Sequence, residues 1–291
     1  MVKKVFTAVL AAVLFSGSVT ALASQSDSTP SSQAQSSSSQ ALEVIDNTGE
    51  PRANTKIIIG YNGGLCTSVP ALAFKKGFFK DEGLDVETVK VQAGKEAIGT
   101  GKVDILTNHI ASLLVPAVNG VNMKFAVGAH TGCKSLYVLT DEAYKTTSDL
   151  KGKTVGLPDG IGDSDHNIAL RFFNHDKIDP KEIKFKPVEQ SAVIQAMQSG
   201  DIQAAILSDQ FAEKFVKDGT IRYIRSLTYD EDFRTEPCCV HAFNGDFLKD
   251  NPKTAAKVAR AIMRGKEWTE NNKEEAVKIL FDNEWASGDP E

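Results

Sequence analysis

Four cysteines and five histidines hold most of the reactive side chains in this sequence. Cys238 and Cys239 are neighbours with His241 close behind, His130 stands shortly before Cys133, and Cys66, His109 and His166 are separate. Thiolate and imidazole bind soft and borderline metals, so one reading is a metal- or thiolate-dependent protein or a carrier of a metal complex. The spacing matches no tight zinc pattern. The other reading is a disulfide such as Cys66 with Cys133, with the histidines hydrogen-bonding an organic ligand. Four cysteines allow three complete pairings, and the adjacent Cys238 and Cys239 would need a strained ring to bond each other. Both readings stand on the sequence. No nucleophile lies beside a base with an orienting acid, so an enzyme is not expected, and neither is a resident cofactor.

These side chains fall where an α/β chain turns. Ile57, Ile58 and Ile59 form an apolar β-branched run that reads as a buried strand. Asn62, Gly63 and Gly64 break it, Val69 to Phe74 recur at helical spacing, and a second strand closes the unit. In open parallel sheets, loops after the strand carboxyl ends carry the ligand. Six such loops are expected, at residues 61–67, 107–111, 130–134, 160–166, 208–210 and 237–241. They hold all four cysteines and His109, His130, His166 and His241. Tyr61 is placed to stack on a ring, Asn62, Asn108, Asp209 and Gln210 to hydrogen-bond, and Gly63, Gly162, Asp163 and Ser164 to bring backbone and caps to the ligand. Lys134 is the one cation in these loops, while Asp163 and Asp165 occupy a helix start that would otherwise attract an anion. A neutral heteroaromatic, an amine or a metal species fits better than a small oxyanion. Asp165 also stands where a dinucleotide fingerprint needs its third glycine, which argues against that ligand.

The chain is organised in four parts. Residues 1–23 carry Lys3 and Lys4, an apolar stretch and Ala21-Leu22-Ala23, the pattern of a cleaved export signal with no lipid-accepting cysteine after it. Residues 24–54 are rich in Ser and Gln and read as a disordered linker. Two lobes follow, lobe 1 from 55–132 plus 241–291 and lobe 2 from 133–240. Residues 92–108 and 189–209 look like two copies of one helix-to-strand unit, with Gly101 and Gly200 as helix stops. Residues 226–237 read as the return crossover. The net charge of −5 is spread without a basic stripe, so nucleic acid is not an expected partner, and the protein is expected to be a monomer.

The run from Pro70 to Val86, PALAFKKGFFKDEGLDV, resembles the opening signature of the solute-binding proteins that take up nitrate, sulfonates, taurine and thiamine-pyrimidine precursors. Residues 101–104 (GKVD), 149–156 (DLKGKTVG) and 247–252 resemble later motifs of that family, in the same order. The resemblance implies a type II periplasmic-binding-protein fold, two α/β lobes with mainly parallel sheets and a central cleft. It also implies a small-molecule ligand and delivery to an ABC transporter permease and ATPase, outside the cytoplasm. The family usually runs somewhat further than Glu291, so its last helices are expected to be missing. Pyrimidine synthases related to the family carry a cysteine-rich cluster that Cys238-Cys239-Val240-His241 faintly resembles. Here there is one cysteine pair and an export signal, so the implied role is binding.

Overall fold

The computed structural model describes residues 43–286. The expected signal at 1–23 and most of the expected linker lie outside them. Chain order in lobe 1 is β1 (Ile57–Tyr61), α1 (Val69–Lys75), α2 (Phe78–Asp81), β2 (Val86–Lys90), α3 (Gly94–Gly99), β3 (Ile105–His109), α4 (Ile110–Val118) and β4 (Met123–Thr131). Lobe 2 follows with β5 (Lys134–Leu139), β6 (Thr154–Leu157), α5 (Ser164–His175), β7 (Lys184–Pro187), α6 (Val193–Gln198), β8 (Ala204–Ser208), α7 (Asp209–Lys217) and β9 (Ile221–Ser226). The chain then returns to lobe 1 as β10 (Pro237–Asn244), α8 (Gly245–Asp250), α9 (Pro252–Asn271) and α10 (Lys273–Asp282).

The two five-stranded sheets have matching orders, β2-β1-β3-β10-β4 and β7-β6-β8-β5-β9. β1 pairs in parallel with β2 and β3, while β10 is antiparallel to both β3 and β4, so β10 alone runs against the rest. In the other sheet β5 plays that part between β8 and β9. The reversed strand is in each case the first one formed after the chain crosses from the other lobe. The repeat read from the sequence has its counterpart here: α3–β3 and α6–β8 hold equivalent places in the two sheets.

Burial explains the element choices. Ile57 and Ile59 face one side of the sheet and pack with Val258, Ala261 and Ile262 of α9, while Ile58 packs on the other side with Ile98 and Leu106. A strand covered on both faces needs an unbroken apolar run, which Ile57–Ile59 supplies. Each such side chain removed from water contributes about 1.5–3 kcal/mol. Lobe 2 has its own core around Phe172, Phe173, Leu157 and Ile206. Among the described residues, no helix is long and apolar enough to cross a membrane.

Three expectations need correction. Residues 47–54 are not a linker. Arg52 makes a two-pronged bond to Asp104 at 2.8 and 2.7 Å, and Glu50 accepts the N–H groups of Lys253 and Thr254 at 2.8 and 2.7 Å, capping α9. These long-range polar bonds order a stretch that has almost no apolar side chain to reveal it. The boundary at 241 moves to about 237, because β10 starts at Pro237 and already pairs with Thr131. For the same reason residues 237–241 are a strand of the sheet and not a loop. The crossovers are therefore Gly132–Cys133 and residues 227–236. Gly132 has φ +64°, and a Cβ there would stand 2.8 Å from the Thr228 Cα, so the two crossovers touch where only glycine fits.

Asp104 is 8% exposed and also accepts the Ile58 N–H, so removing its cation leaves a buried charge. Arg52→Ala is expected to cost about 2–4 kcal/mol in urea unfolding. A loss below about 0.5 kcal/mol, the ordinary scale of a surface change, would return the segment to the status of a tether.

Candidate functional site

A cavity of about 340 Å³ lies between the lobes, at the carboxyl ends of the parallel strands. Lobe 1 supplies Asn62, Gly64, Cys66 and Thr67 from the β1–α1 loop, Gln92 after β2, Asn108 and His109 ending β3, and Ser112 in the first turn of α4. Lobe 2 supplies Asp159 and Asp163 between β6 and α5, Ser164 at the start of α5, and Ser208 and Gln210 at the β8–α7 junction. Cys133, Lys134 and Cys239 form the floor, from the crossover and the two reversed strands. The β1–α1 loop is held locally: the Asn62 Oδ1 accepts from the Thr67 hydroxyl at 2.5 Å and from the Gly64 N–H at 3.3 Å. Gly63, at φ +89°, makes that turn possible. The Asn62 amide then faces the Asn108 Oδ1 at 3.4 Å.

Lys134 governs the charge of the site. Its Nζ donates to Asp159 at 2.5 Å, to the Ser164 hydroxyl at 3.1 Å and to Asp165. Burial by itself would lower the ammonium's pKa, but Asp165 and Asp159 outweigh it and raise it above the ordinary lysine value. Burial works against the Asp159 carboxylate too, yet Lys134 and Ser164 hold it below the usual range. Asp165, fully buried, is pushed up to about 6 by burial and by Asp159, against the pull of Lys134. Among the described residues, Lys134 is the one cation in the cavity lining, and it is committed to two carboxylates of its own protein.

The rim is bonded across the gap. Asp163 caps α5 by accepting the Ser164 N–H at 2.7 Å, and it also accepts from Lys95 Nζ at 2.8 Å and from the Ser112 hydroxyl at 2.5 Å, both in lobe 1. Burial opposes its charge, but the Lys95 and Ser112 bonds keep its pKa below the usual carboxylate value. Asn167 of α5 donates to the Ala111 carbonyl at 2.8 Å. These polar contacts clasp the lobes beside the Ala111 side chain, which packs against the lobe 2 core.

The cysteines and histidines separate into different roles. The disulfide joins Cys133 to Cys238, not Cys66 to Cys133, because Cys66 lies in the β1–α1 loop while β10 carries Cys238 to the crossover; Cys66 and Cys239 are free thiols. His109 accepts the Ala111 N–H on Nδ1 at 3.1 Å, which places its proton on Nε2, 3.1 Å from the Cys238 sulfur. Burial and the Lys134 charge lower its pKa to about 3. Donor atoms of His109, Cys133 and Cys238 lie within 4.8 Å of one another, as do those of His130, Cys238 and Cys239. With Cys133 and Cys238 joined and the His109 Nε2 protonated, neither group offers three free ligands. Burial raises the Cys66 and Cys239 thiols above the ordinary value, so neither is a thiolate at neutral pH.

Of the residues expected at the cleft, Asn62, Cys66, Asn108, His109, Cys133, Asp163, Ser164 and Cys239 face it. Several others turn away. Tyr61 is 2% exposed and packs in the core as the last residue of β1. His241 lies inside lobe 1 with its Nδ1 2.7 Å from the Thr107 hydroxyl. Asp209 accepts from Ser135 at 2.7 Å, Tyr137 at 2.8 Å and Thr228, tying β5 to the second crossover. His166 accepts the Gly162 N–H at 3.2 Å and meets the Phe185 ring edge-on, which keeps both Gly162 and His166 out of the cavity lining. His130 lines a second hollow with Lys266 and Glu270 rather than the cleft. Gly63 serves the turn, and Cys238 is covered by its disulfide partner. Thr67, Ser208 and Gln210 line the cleft from loops expected there, whereas Gln92, Ser112 and Asp159 were not expected. Gln92 and Asp159 follow strand ends and were open to the same rule, whereas Ser112 sits inside a helix and gave no sign.

Residues 70–276 match the model of the family described as NMT1/THI5 like. A protein of Brucella abortus (strain 2308), described as a binding protein, is 27% identical over 237 residues, covering 78% of this chain and 70% of its own. The 4-amino-5-hydroxymethyl-2-methylpyrimidine phosphate synthase of Uromyces fabae is 25% identical over 206 residues, 67% of this chain and 60% of its own. In fold, the chain is similar to the periplasmic aliphatic sulphonate binding protein SsuA from Escherichia coli, with a TM-score of 0.66 at 19% identity over 80% of this chain and 75% of that one. It is also similar to the periplasmic nitrate-binding protein NrtA from Synechocystis PCC 6803, with a TM-score of 0.60 at 16% identity over 78% and 65%. Both neighbours have the periplasmic-binding fold expected from the sequence.

The buried histidines set a pH dependence. Burial lowers His241 to about 4 and His109 to about 3, against 6.5 when unfolded. The unfolded chain therefore takes up protons first, and the contribution is whole above pH 6.5 and lost as pH falls toward 4 and 3. Asp165 acts in the opposite sense between 3.8 and about 6, where the folded state keeps a proton that the unfolded state has released. His241→Asn is expected to reduce the stability lost between pH 7 and pH 4 by about 2 kcal/mol in denaturant titrations. An unaltered pH slope would show that His241 is not neutral in the folded protein.

Proposed function

The chain belongs to the NMT1/THI5-like family, and from that premise we propose that it is a solute receptor of an ABC importer. It takes a neutral or amine-bearing small organic molecule, of the pyrimidine class in size and polarity, between its lobes. The observation that carries this choice is Lys134. A nitrate or sulfonate needs a free cation or a row of free N–H groups, and among the described residues the one lining cation is paired with Asp159 and Asp165. The helix start beside it is capped by Asp163. What the cavity offers instead is amides and hydroxyls, from Asn62, Thr67, Gln92, Asn108, Ser112 and Gln210, that both donate and accept. A cavity of about 340 Å³ suits a molecule of that kind. The three carboxylates Asp159, Asp163 and Asp165 outnumber Lys134 and Lys95 at the site, which favours an amino group over an acid.

The export pattern at residues 1–23 supports action outside the cytoplasm, with a permease and ATPase as partners. The synthase relative does not move this reading. Among the described residues the cleft thiols are protonated and His109 is neutral and committed as a cap, while the Asp159 and Asp163 carboxylates are engaged by Lys134 and Lys95.

Isothermal titration with nucleobases, pyrimidine amines, alkanesulfonates, taurine and nitrate tests the proposal. Saturable one-to-one binding is expected among the neutral and amine-bearing compounds only. Asp163→Asn is expected to weaken an amine-bearing ligand by about tenfold, the scale of one charged hydrogen bond. A sulfonate or nitrate that binds more tightly than every neutral compound would overturn it.

A further inference from the structure

The disulfide sits at an unusual place for a structural staple. Cys133 lies in the short first crossover and Cys238 immediately follows the second, so the bond ties together both segments that join the lobes, across a sequence separation of 105. Hinge closure is absorbed by changes of φ and ψ at a few residues in such segments. The two crossovers already touch at Gly132 and Thr228. With the bond in place they can turn only together. Without it the Gly132–Cys133 segment and β10 are coupled by side-chain packing around Ala129 and by strand pairing, which is irregular there: the register of β10 on β4 shifts on both sides of Cys239.

We propose that the Cys133–Cys238 disulfide is a redox latch on the hinge, which limits the opening of the lobes while oxidised and frees it when a dithiol reduces it. The inference is independent of which solute the cleft takes. The two sulfurs are not equivalent. Cys133 lines the cleft, while Cys238 is 2% exposed. A thiolate of the dithiol therefore attacks the Cys133 sulfur. The S–S bond breaks, a mixed disulfide forms at Cys133, and the electron pair stays on the Cys238 sulfur, where the His109 Nε2–H at 3.1 Å stabilises it. The second thiolate of the dithiol then attacks its own first sulfur, closes a cyclic disulfide and releases Cys133. The dithiol is oxidised, both cysteines are reduced, and its two protons end on Cys133 and Cys238. Cys66 and Cys239, packed in the same cluster, take no part in the bond.

Hydrogen–deuterium exchange of the full chain tests this in three forms: as oxidised, after dithiothreitol, and as the Cys133→Ser/Cys238→Ser double variant. In both the reduced protein and the variant, amide exchange at residues 131–134 and 227–238, and at the clasp around Ser164, is expected to rise by about tenfold, while β1, β3, β6 and β8 keep their protection. A Cys66→Ser/Cys239→Ser variant is expected to respond to dithiothreitol as the natural sequence does. No change at the crossovers would overturn the proposal. So would a rise of equal size throughout both sheets, which would make the bond a general stabiliser, or loss of the response when only Cys66 and Cys239 are replaced.

Discussion

Each sheet of this protein is completed by a strand that has just arrived from the other lobe and runs against its neighbours. β5 does this for lobe 2 and β10 for lobe 1. A chain that crosses twice in this way has little freedom in where its functional groups go. The carboxyl ends of β1, β3, β6 and β8 must face one another, because the reversed strands start at the crossovers between them. The cavity, the Lys134 cluster at the start of β5 and the disulfide at the start of β10 all follow from that geometry.

The interior of the cleft is then a question of charge. Placing an ammonium at the start of β5, with 13% of the side chain exposed, demands compensation, and Asp159 supplies it from the loop before α5 and Asp165 from the first turn of α5. The same pairing that lets Lys134 be buried takes away its use as an anion receptor. Asp163, two residues earlier than Asp165, faces the rim and holds the lobes together through Lys95 and Ser112. One short helix start therefore neutralises the floor with one carboxylate and closes the mouth with another.

Much of this was legible in the sequence because the signals were local. The β-branched run Ile57–Ile59, the glycines after β1 and the helical spacing from Val69 set the first unit, and the twin segments ending at Asn108 and Asp209 announced two related lobes. Lys134 as the one cation of the expected cleft loops was also visible, whereas Lys95, which reaches Asp163 at the rim, was not. What failed depended on distant partners. Glu50 and Arg52 gain their meaning only from Thr254 and Asp104, far along the chain. Residues 237–241 were expected as a cleft loop; as a strand the segment buries His241 in lobe 1 and places Cys238 beside Cys133. Asp209 looked like a ligand contact at a strand end, but Ser135, Tyr137 and Thr228 claim it. Short polar side chains at strand ends face either way, and periodicity does not distinguish the two.

The central claim is that the cleft selects an uncharged or basic solute because its lysine is already neutralised. Non-denaturing mass spectrometry of the protein as purified, followed by release and identification of whatever it retains, tests this most directly. The expected result is one neutral or amine-bearing small molecule per chain. Retention of a sulfonate, nitrate or other oxyanion in its place would contradict it.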